Sequence, residues 1–297
     1  MCAARPKPSF ERDILNSVLS SAPPSRPLYH YTTQDGILGI VQKREIWATH
    51  HQCLNDQREY LHAKELVRDE ISKRLKAATG RKRLVLDSMI AALEPPGHED
   101  VNLYVASFSE QPDSLSQWRA YGASTSGVAL GFRCDHFLLP DGFRVVQCIY
   151  TKTAQLKIVR AIVSEVEKRS TSTAALLNVA PAHLRFTLHA LALVLKHEAF
   201  KEEREWRIIS PVLMDKAPAF PIIEETKLAF RSGKSVLTPY RRIPLKDDKG
   251  NFPLNEVVVG PNPNPKQACR SVQSLLNSEK GLDSVKVRNS DIPYRNW

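Results

Sequence analysis

Leu28-Tyr-His-Tyr-Thr-Thr-Gln-Asp-Gly-Ile-Leu-Gly-Ile-Val-Gln-Lys-Arg-Glu-Ile-Trp-Ala-Thr49 is the stretch that sets the fold class. Leu28 to Tyr31 is aromatic and alternating, which predicts a short strand. Thr33 to Lys43 then places Ile37, Ile40 and Val41 on one helical face, and Glu45 to Thr49 returns to strand periodicity. A strand, helix, strand unit begins the fold. Alternation along the first strand sends Tyr29 and Tyr31 to one side and His30 and Thr32 to the other, setting an imidazole beside a hydroxyl.

Upstream, Phe10, Ile14 and Val18 recur at helical spacing behind Ser9 as N-cap, and Ala-Pro-Pro-Ser-Arg-Pro at 22–27 stops that helix. Residues 1–27 are therefore expected to form a leader helix and a Pro-rich connector. Downstream, Asn55 and Asp56 precede a long helix carrying Tyr60, Ala63, Val67, Ile71 and Leu75, with Glu59 at capping-box spacing from Asp56. Arg83 to Leu93 is its expected hairpin partner, ended by Pro95 and Pro96. Strands are then expected at Asn102–Ser109, Gly127–Phe132 and Phe143–Tyr150, with a short helix at Leu115–Tyr121. Thr153 to Lys196 turns helical, with Leu184, Leu188, Leu191 and Leu195 on one stripe. Strands follow at Glu205–Ile209, Lys227–Phe230, Arg241–Leu245 and Glu256–Val259, and Pro261-Asn-Pro-Asn-Pro introduces a final helix. The expectation is a single α+β domain over 28–297, with helical insertions at about 56–94 and 153–196.

The composition allows a full core: 42% of the 297 residues are hydrophobic and 25% are charged. The apolar runs fall short of the ~20 residues a bilayer demands, and the mixed Phe10–Ser20 stretch is no signal-peptide core. No membrane partner and a cytoplasmic location are expected. Five scattered cysteines without Cys-x-x-Cys suggest neither a disulfide framework nor a zinc knuckle. His50, His51, Cys53 and His62 lie close together but match no zinc-ligand spacing, so no metal is expected.

Forty-two basic against 32 acidic residues give a net charge of +10, a field that attracts nucleotides, nucleic acid, phospholipid headgroups or an acidic protein. Six of the eleven residues from Lys73 to Arg83 are basic, a run that reads first as a solvated turn and otherwise as one able to touch phosphates, yet without the aromatics of a stacking platform. Gly-x-Gly-x-x-Gly, the Walker loop, Gly-x-Ser-x-Gly and His-Glu-x-x-His are all absent from the sequence, so the common nucleotide cradles and hydrolase sites are excluded.

Three clusters carry chemistry. The first is Leu28–Thr32, where His30 and Thr32 can bond ribose hydroxyls or serve as structural donors. The second runs from Ser107-Phe108-Ser109 into Ser116-Gln-Trp118-Arg119-Ala-Tyr121-Gly122, where Trp118 and Tyr121 share a helix face. Either ring can stack on a flat ligand, or Trp118 can anchor the helix to the core. The third is Lys201-Glu-Glu-Arg-Glu-Trp-Arg-Ile-Ile, where a strand would align Glu203, Glu205 and Arg207 on one face, as a catalytic carboxylate row or as an ion-paired surface.

Leu28 to Thr32, Asn55-Asp56 with Glu59, Ser116 to Gly122, Gly127 to Phe132, Phe200 to Arg207, Val258-Val-Gly-Pro and Ile292-Pro-Tyr-Arg together resemble the bacterial family called domain of unknown function 2971. The family's Asn-Asp-Pro-x-Glu is here Asn55-Asp56-Gln57-Arg58-Glu59, without the proline. More distantly, a histidine strand, a middle strand feeding an aromatic helix and a late glutamate strand are similar to the three-part signature of ADP-ribosyltransferases.

That resemblance implies a split mixed or antiparallel sheet and NAD as ADP-ribose donor. His30, with Tyr31 and Thr32, would hold the adenosine ribose, and Trp118 or Tyr121 would stack on nicotinamide. Ser107, Ser116, Arg119 and Arg207 would complete the NAD site. Glu205 would be the catalytic glutamate, and Glu203 would engage an unknown macromolecular acceptor, protein or nucleic acid, in a stress, toxin or phage-defence setting. A plain NAD glycohydrolase, a non-catalytic ligand sensor and a nucleic-acid-binding module are the alternatives.

Overall fold

The computed structural model describes residues 22–54, 58–93, 101–122, 127–170, 180–211, 213–214, 226–233 and 235–294. The expected leader helix, the Asn55-Asp56 cap and the Pro95-Pro96 stop lie outside these residues. The chain opens with β1 (Leu28–Thr32), α1 (Gln34–Lys43) and β2 (Glu45–His50), the unit its periodicity predicts. Thr33 caps α1 by accepting from the Gly36 amide, and Arg44 ends it in the left-handed region at φ 53°, which turns the chain sharply into β2.

Two helices follow, α2 (Arg58–Leu75) and α3 (Gly80–Ala92), then β3 (Val101–Asn102), β4 (Tyr104–Ser109), α4 (Leu115–Tyr121), β5 (Val128–Phe132) and β6 (Arg144–Gln147). The second helical stretch is α5 (Lys152–Arg169) and α6 (Ala180–Ala192). The rest is β7 (Glu205–Ile209), β8 (Leu213–Met214), β9 (Leu228–Ser232), β10 (Leu237–Pro244), β11 (Leu254–Val259), α7 (Pro265–Ser278) and β12 (Lys286–Asn289). Pro265 occupies the first turn of α7, where its missing N–H costs nothing.

The fold is α+β, built on an open, mixed sheet ordered β12-β11-β5-β1-β4-β2-β10-β9, with β7 and β6 branching from β4. Every pairing in it is antiparallel except that of β11 with β12. The branch governs everything near the site. β7 pairs with β4 from Val105↔Ile209 to Ser109↔Glu205 and so fills one edge of that strand. Both other neighbours must share the opposite edge. β1 takes only its far end, Tyr29↔Ser109, and β2 only its near end, Thr49↔Val105 and His50↔Tyr104. Ala106 to Phe108 therefore face a fork between β1 and β2, and α1 links the two arms.

One large core lies on the α1 and α7 side of the sheet and includes Leu28, Ile46, Phe108, Leu130, Phe132, Trp206 and Val257. A second core is built mainly by helices: α2, α3, α5 and α6 pack Val67, Ile71, Leu86, Met89, Ile162 and Leu191 together. The two expected insertions are thus one four-helix layer. It meets the sheet through Leu103, Val105, Val146, Leu193, Val194 and Ile209. Of the basic run, Arg74 turns into this layer, donating to Glu70 and Glu167 and reaching the Arg160 carbonyl, while Lys73, Lys76, Arg81, Lys82 and Arg83 form an exposed, solvated face.

β5 is the central strand of the β1, β5, β11 half, and Leu130 is fully buried between His30 and Val257. Leu130→Ala should lower the unfolding free energy by about 2–5 kcal/mol. The measurement is a urea titration, and a midpoint equal to that of the wild type would contradict this packing.

Candidate functional site

The floor of the fork is an ion network organised by Arg207. A guanidinium carries five N–H groups, and here each one is bonded. Nε donates to Glu205 Oε1 at 2.8 Å. Nη1 donates to Glu59 Oε2 and the Leu193 carbonyl, each at 2.8 Å. Nη2 donates to Glu59 Oε1 at 2.8 Å and Glu205 Oε2 at 3.0 Å. Glu59 comes from the start of α2, Leu193 from the end of α6 and Glu205 from β7, so one buried side chain ties the helical layer to the sheet. Glu59 was expected as a helix-capping residue with Asp56, which lies outside the described residues; both its oxygens accept from Arg207.

Lys196 supplies the second cation. Its ammonium donates to Glu203 and, at 2.7 Å, to Glu205 Oε2, and it stands 3.8 Å from Glu59. Gln155 fixes its backbone by donating to the carbonyls of Lys196 and Ile149. Glu203 does not sit on the strand, as alternation had suggested. It ends a 3-10 turn over Glu198–Glu203, and Arg204 at φ 43° reverses the chain before β7 begins. Glu203 still reaches the network because Lys196 bridges it to Glu205.

Burial alone would push the Glu205 carboxyl upward, but Arg207 and Lys196 outweigh it and hold the group at about 2. It is a fixed anion at neutral pH, poorly matched to general-base work and suited to facing a developing cation. Glu203 is shifted upward, by burial first, against the downward pull of Lys196.

Above this floor a cavity of about 530 Å³ occupies the fork, in the size range of small-molecule sites. His30, Tyr31, Thr32, Ser107, Tyr121, Glu205 and Arg207 all line it. Cross-strand pairing puts Ser107 and Ser109 on the same sheet face as Arg207 and Glu205, while His30 packs over Phe108 on the other face. A fork can draw from both faces, because the strands part there.

His30 Nδ1 lies 2.9 Å from the Ser107 carbonyl, an acceptor, so this nitrogen carries the proton and Nε2 keeps its lone pair. Burial lowers the pKa of His30, and the neutral ring follows from it. Tyr121 is 40% exposed at the cavity mouth. Burial, then the charges of Glu205 and Glu203, raise its phenol pKa.

Four expected site residues are committed elsewhere in whole or in part. Trp118 is buried at 4% exposure, lies edge-on against Tyr31 and donates through Nε1 to Asp113, so its ring is a core anchor and does not line the cavity. Tyr31 contributes to the lining, but its hydroxyl donates to the Gln111 carbonyl. Ser116 pairs with Ser114, and Arg119 lies over the Tyr294 ring at 5.1 Å.

The sequence reading missed Lys196, Trp47, Gly39 and Arg231, all of which line the cavity. Trp47 had a usable signal, since it alternates in step with Thr49. Among the described residues no group of three or more His, Cys, Asp or Glu side chains is placed to hold a metal ion. No helix among them is long and apolar enough to cross a membrane.

Residues 117–208 match the model of a family described as a protein of unknown function, DUF2971. The match runs from α4 to β7, takes in Tyr121, Lys196, Glu205 and Arg207, and supports the resemblance to that family. No curated protein and no solved structure matches the chain.

Arg207→Met would strip Glu59 of its hydrogen bonds, leaving it only the ammonium of Lys196 at 3.8 Å, and would remove the guanidinium from Glu205 Oε1; it should destabilise the fold by about 3–5 kcal/mol, read by urea denaturation. An acid titration gives a second test. The folded pKa of Glu205, about 2, lies below the ordinary 4.5, so its ionised form contributes full stability above pH 4.5 and loses that contribution as pH falls toward 2. Wild-type stability should therefore fall more steeply across this window than that of Glu205→Gln; parallel curves would contradict the assignment.

Proposed function

We propose that this chain is an ADP-ribosyltransferase-like enzyme that cleaves NAD and transfers ADP-ribose to a macromolecular acceptor. The observation that carries the reading is that the strands holding His30 and Glu205 both pair with the strand holding Ser107, and all three residues line one cavity. In this reading the lone pair of His30 Nε2 accepts from a ribose hydroxyl, and Tyr121 stacks on nicotinamide at the mouth. Glu205 accepts from the 2-hydroxyl of the reacting ribose.

The reaction breaks the bond between the nicotinamide nitrogen and the anomeric carbon, and the bonding pair leaves with nicotinamide, which becomes neutral. Positive charge spreads over the ribose ring, where a carboxylate held at its hydroxyl helps most in the transition state. A nucleophilic atom of the acceptor then bonds to the anomeric carbon and gives up its proton to solvent. Water in the acceptor's place makes the enzyme an NAD glycohydrolase. The +10 charge favours an acidic acceptor, nucleic acid or protein.

A second reading rests on a specific observation: Glu205 is already bonded by both Arg207 and Lys196. A site so satisfied suits a sensor that binds a nucleotide without cleaving it.

The deciding experiment incubates the purified protein with NAD and a lysate containing protein and nucleic acid, and measures nicotinamide release. Glu205→Gln should lower turnover by roughly 10²- to 10⁴-fold. Because Glu205 also holds the fold, Tyr121→Ala is the companion variant: its half-exposed ring can be removed with little loss of stability, and turnover should drop roughly tenfold. A nucleotide-induced melting shift with no release would favour the sensor, and neither effect would sink the NAD reading.

A further inference from the structure

Two glycines of α1 line the fork cavity, Gly36 and Gly39, three residues apart and so on one helix face. A Cβ on Gly36 would lie 1.9 Å from Thr32 Oγ1, so packing itself requires glycine there. Gly39 is different. A Cβ at that position would meet nothing within 4 Å, and the residue is not among those with positive φ. Glycine in a helix interior is less favourable than alanine, because it loses more backbone freedom on folding. Among the described residues no contact requires glycine at 39, and the cavity beside it stays open.

The same cavity takes a wall from Trp47. This indole is half-buried and stacked on Tyr240, with ring centroids 4.2 Å apart and planes 26° from parallel. Tyr240 is itself buried at 3% exposure, and Trp47 Nε1 donates to Glu45. The plane of the indole is therefore held from behind and from its edge, and Lys43 Nζ stands over the ring 6.0 Å from its centroid, so a flat ring that stacks there displaces this ammonium.

Trp47 lies on β2, the other arm of the fork from His30, whereas Tyr121 feels the charge of Glu205 at the reacting end. Arg231, which lines the cavity and donates to Thr49, stands on the same side of β2 and β10 as Trp47, where a phosphate could meet it.

We infer that the slot kept open by Gly39 receives the adenine ring of a nucleotide, which stacks on Trp47. This rests on the nucleotide reading of the same cavity and adds to it the adenine contact, which no expected site residue supplied.

The test measures melting temperature without ligand, and the affinity of ADP-ribose and of nicotinamide mononucleotide by calorimetry, for wild type, Gly39→Ala, Gly39→Leu, Trp47→Phe and Trp47→Ala. Gly39→Ala should melt roughly 2 °C higher, since alanine is the better helix former and has free space. Gly39→Leu and Trp47→Ala should each weaken ADP-ribose by roughly tenfold or more, and Trp47→Phe should retain most of the affinity. Nicotinamide mononucleotide should bind all five proteins alike.

Gly39→Leu binding ADP-ribose as the wild type does would overturn the slot, and selective loss of the mononucleotide would overturn its assignment to adenine. Wild type binding neither probe would overturn the inference together with the NAD reading. The expected ADP-ribose pattern without nicotinamide release from NAD would uphold the slot and overturn only the cleavage.

Discussion

A guanidinium buried with all five of its donors bonded is the interaction on which the molecule depends. Removing Arg207 from water is costly, and the cost is offset only where every N–H finds an acceptor. Those acceptors come from three places far apart in sequence: Glu59 at the start of α2, the Leu193 carbonyl after α6, and Glu205 two residues back on β7. The requirement fixes where the four-helix layer sits on the sheet. It also holds Glu205 ionised and in one orientation under the cavity, with Lys196 closing the charge on its other side. Stability and candidate chemistry therefore share the same atoms, and any account of a Glu205 variant must separate the two.

The fork above this network follows from strand competition. β7 occupies one edge of β4 along its length, so β1 and β2 divide the other edge and part where they would collide. The parting leaves the Ala106–Phe108 edge of β4 without a strand pairing on that side, and His30 covers one of its carbonyls by donating from Nδ1. That hydrogen bond sets the tautomer and leaves Nε2 as the acceptor. A structural need of the backbone thus fixes which ring nitrogen can accept a hydrogen bond.

Much of the fold was legible in the sequence, because periodicity is a local property. The β1, α1, β2 unit, α4, β5, β7 and α7 all fall where alternation or helical spacing put them. What stayed hidden depends on distant partners. The two helical stretches join into one layer because their apolar stripes face each other, which no single segment declares. Glu59 has capping-box spacing but spends both oxygens on a strand 148 positions away. Glu203 was displaced from the strand by a left-handed Arg204, a conformation that composition does not announce. The more conspicuous tryptophan, Trp118, proved to be core, while Trp47, whose alternation with Glu45 and Thr49 was its one signal, joins Tyr121 in lining the cavity. Lys196 stood at the end of an apolar helix and carried no motif at all.

The central claim is that the fork between β1 and β2 binds an NAD-type dinucleotide with its reacting ribose over Glu205. A crystal structure of the full chain with a non-cleavable carbocyclic NAD analogue tests it most directly. Density for the analogue in the fork, with a ribose hydroxyl at the Glu205 carboxylate and another at His30 Nε2, is the predicted result. An analogue bound outside the fork, or density for none at saturating concentration, would contradict the account.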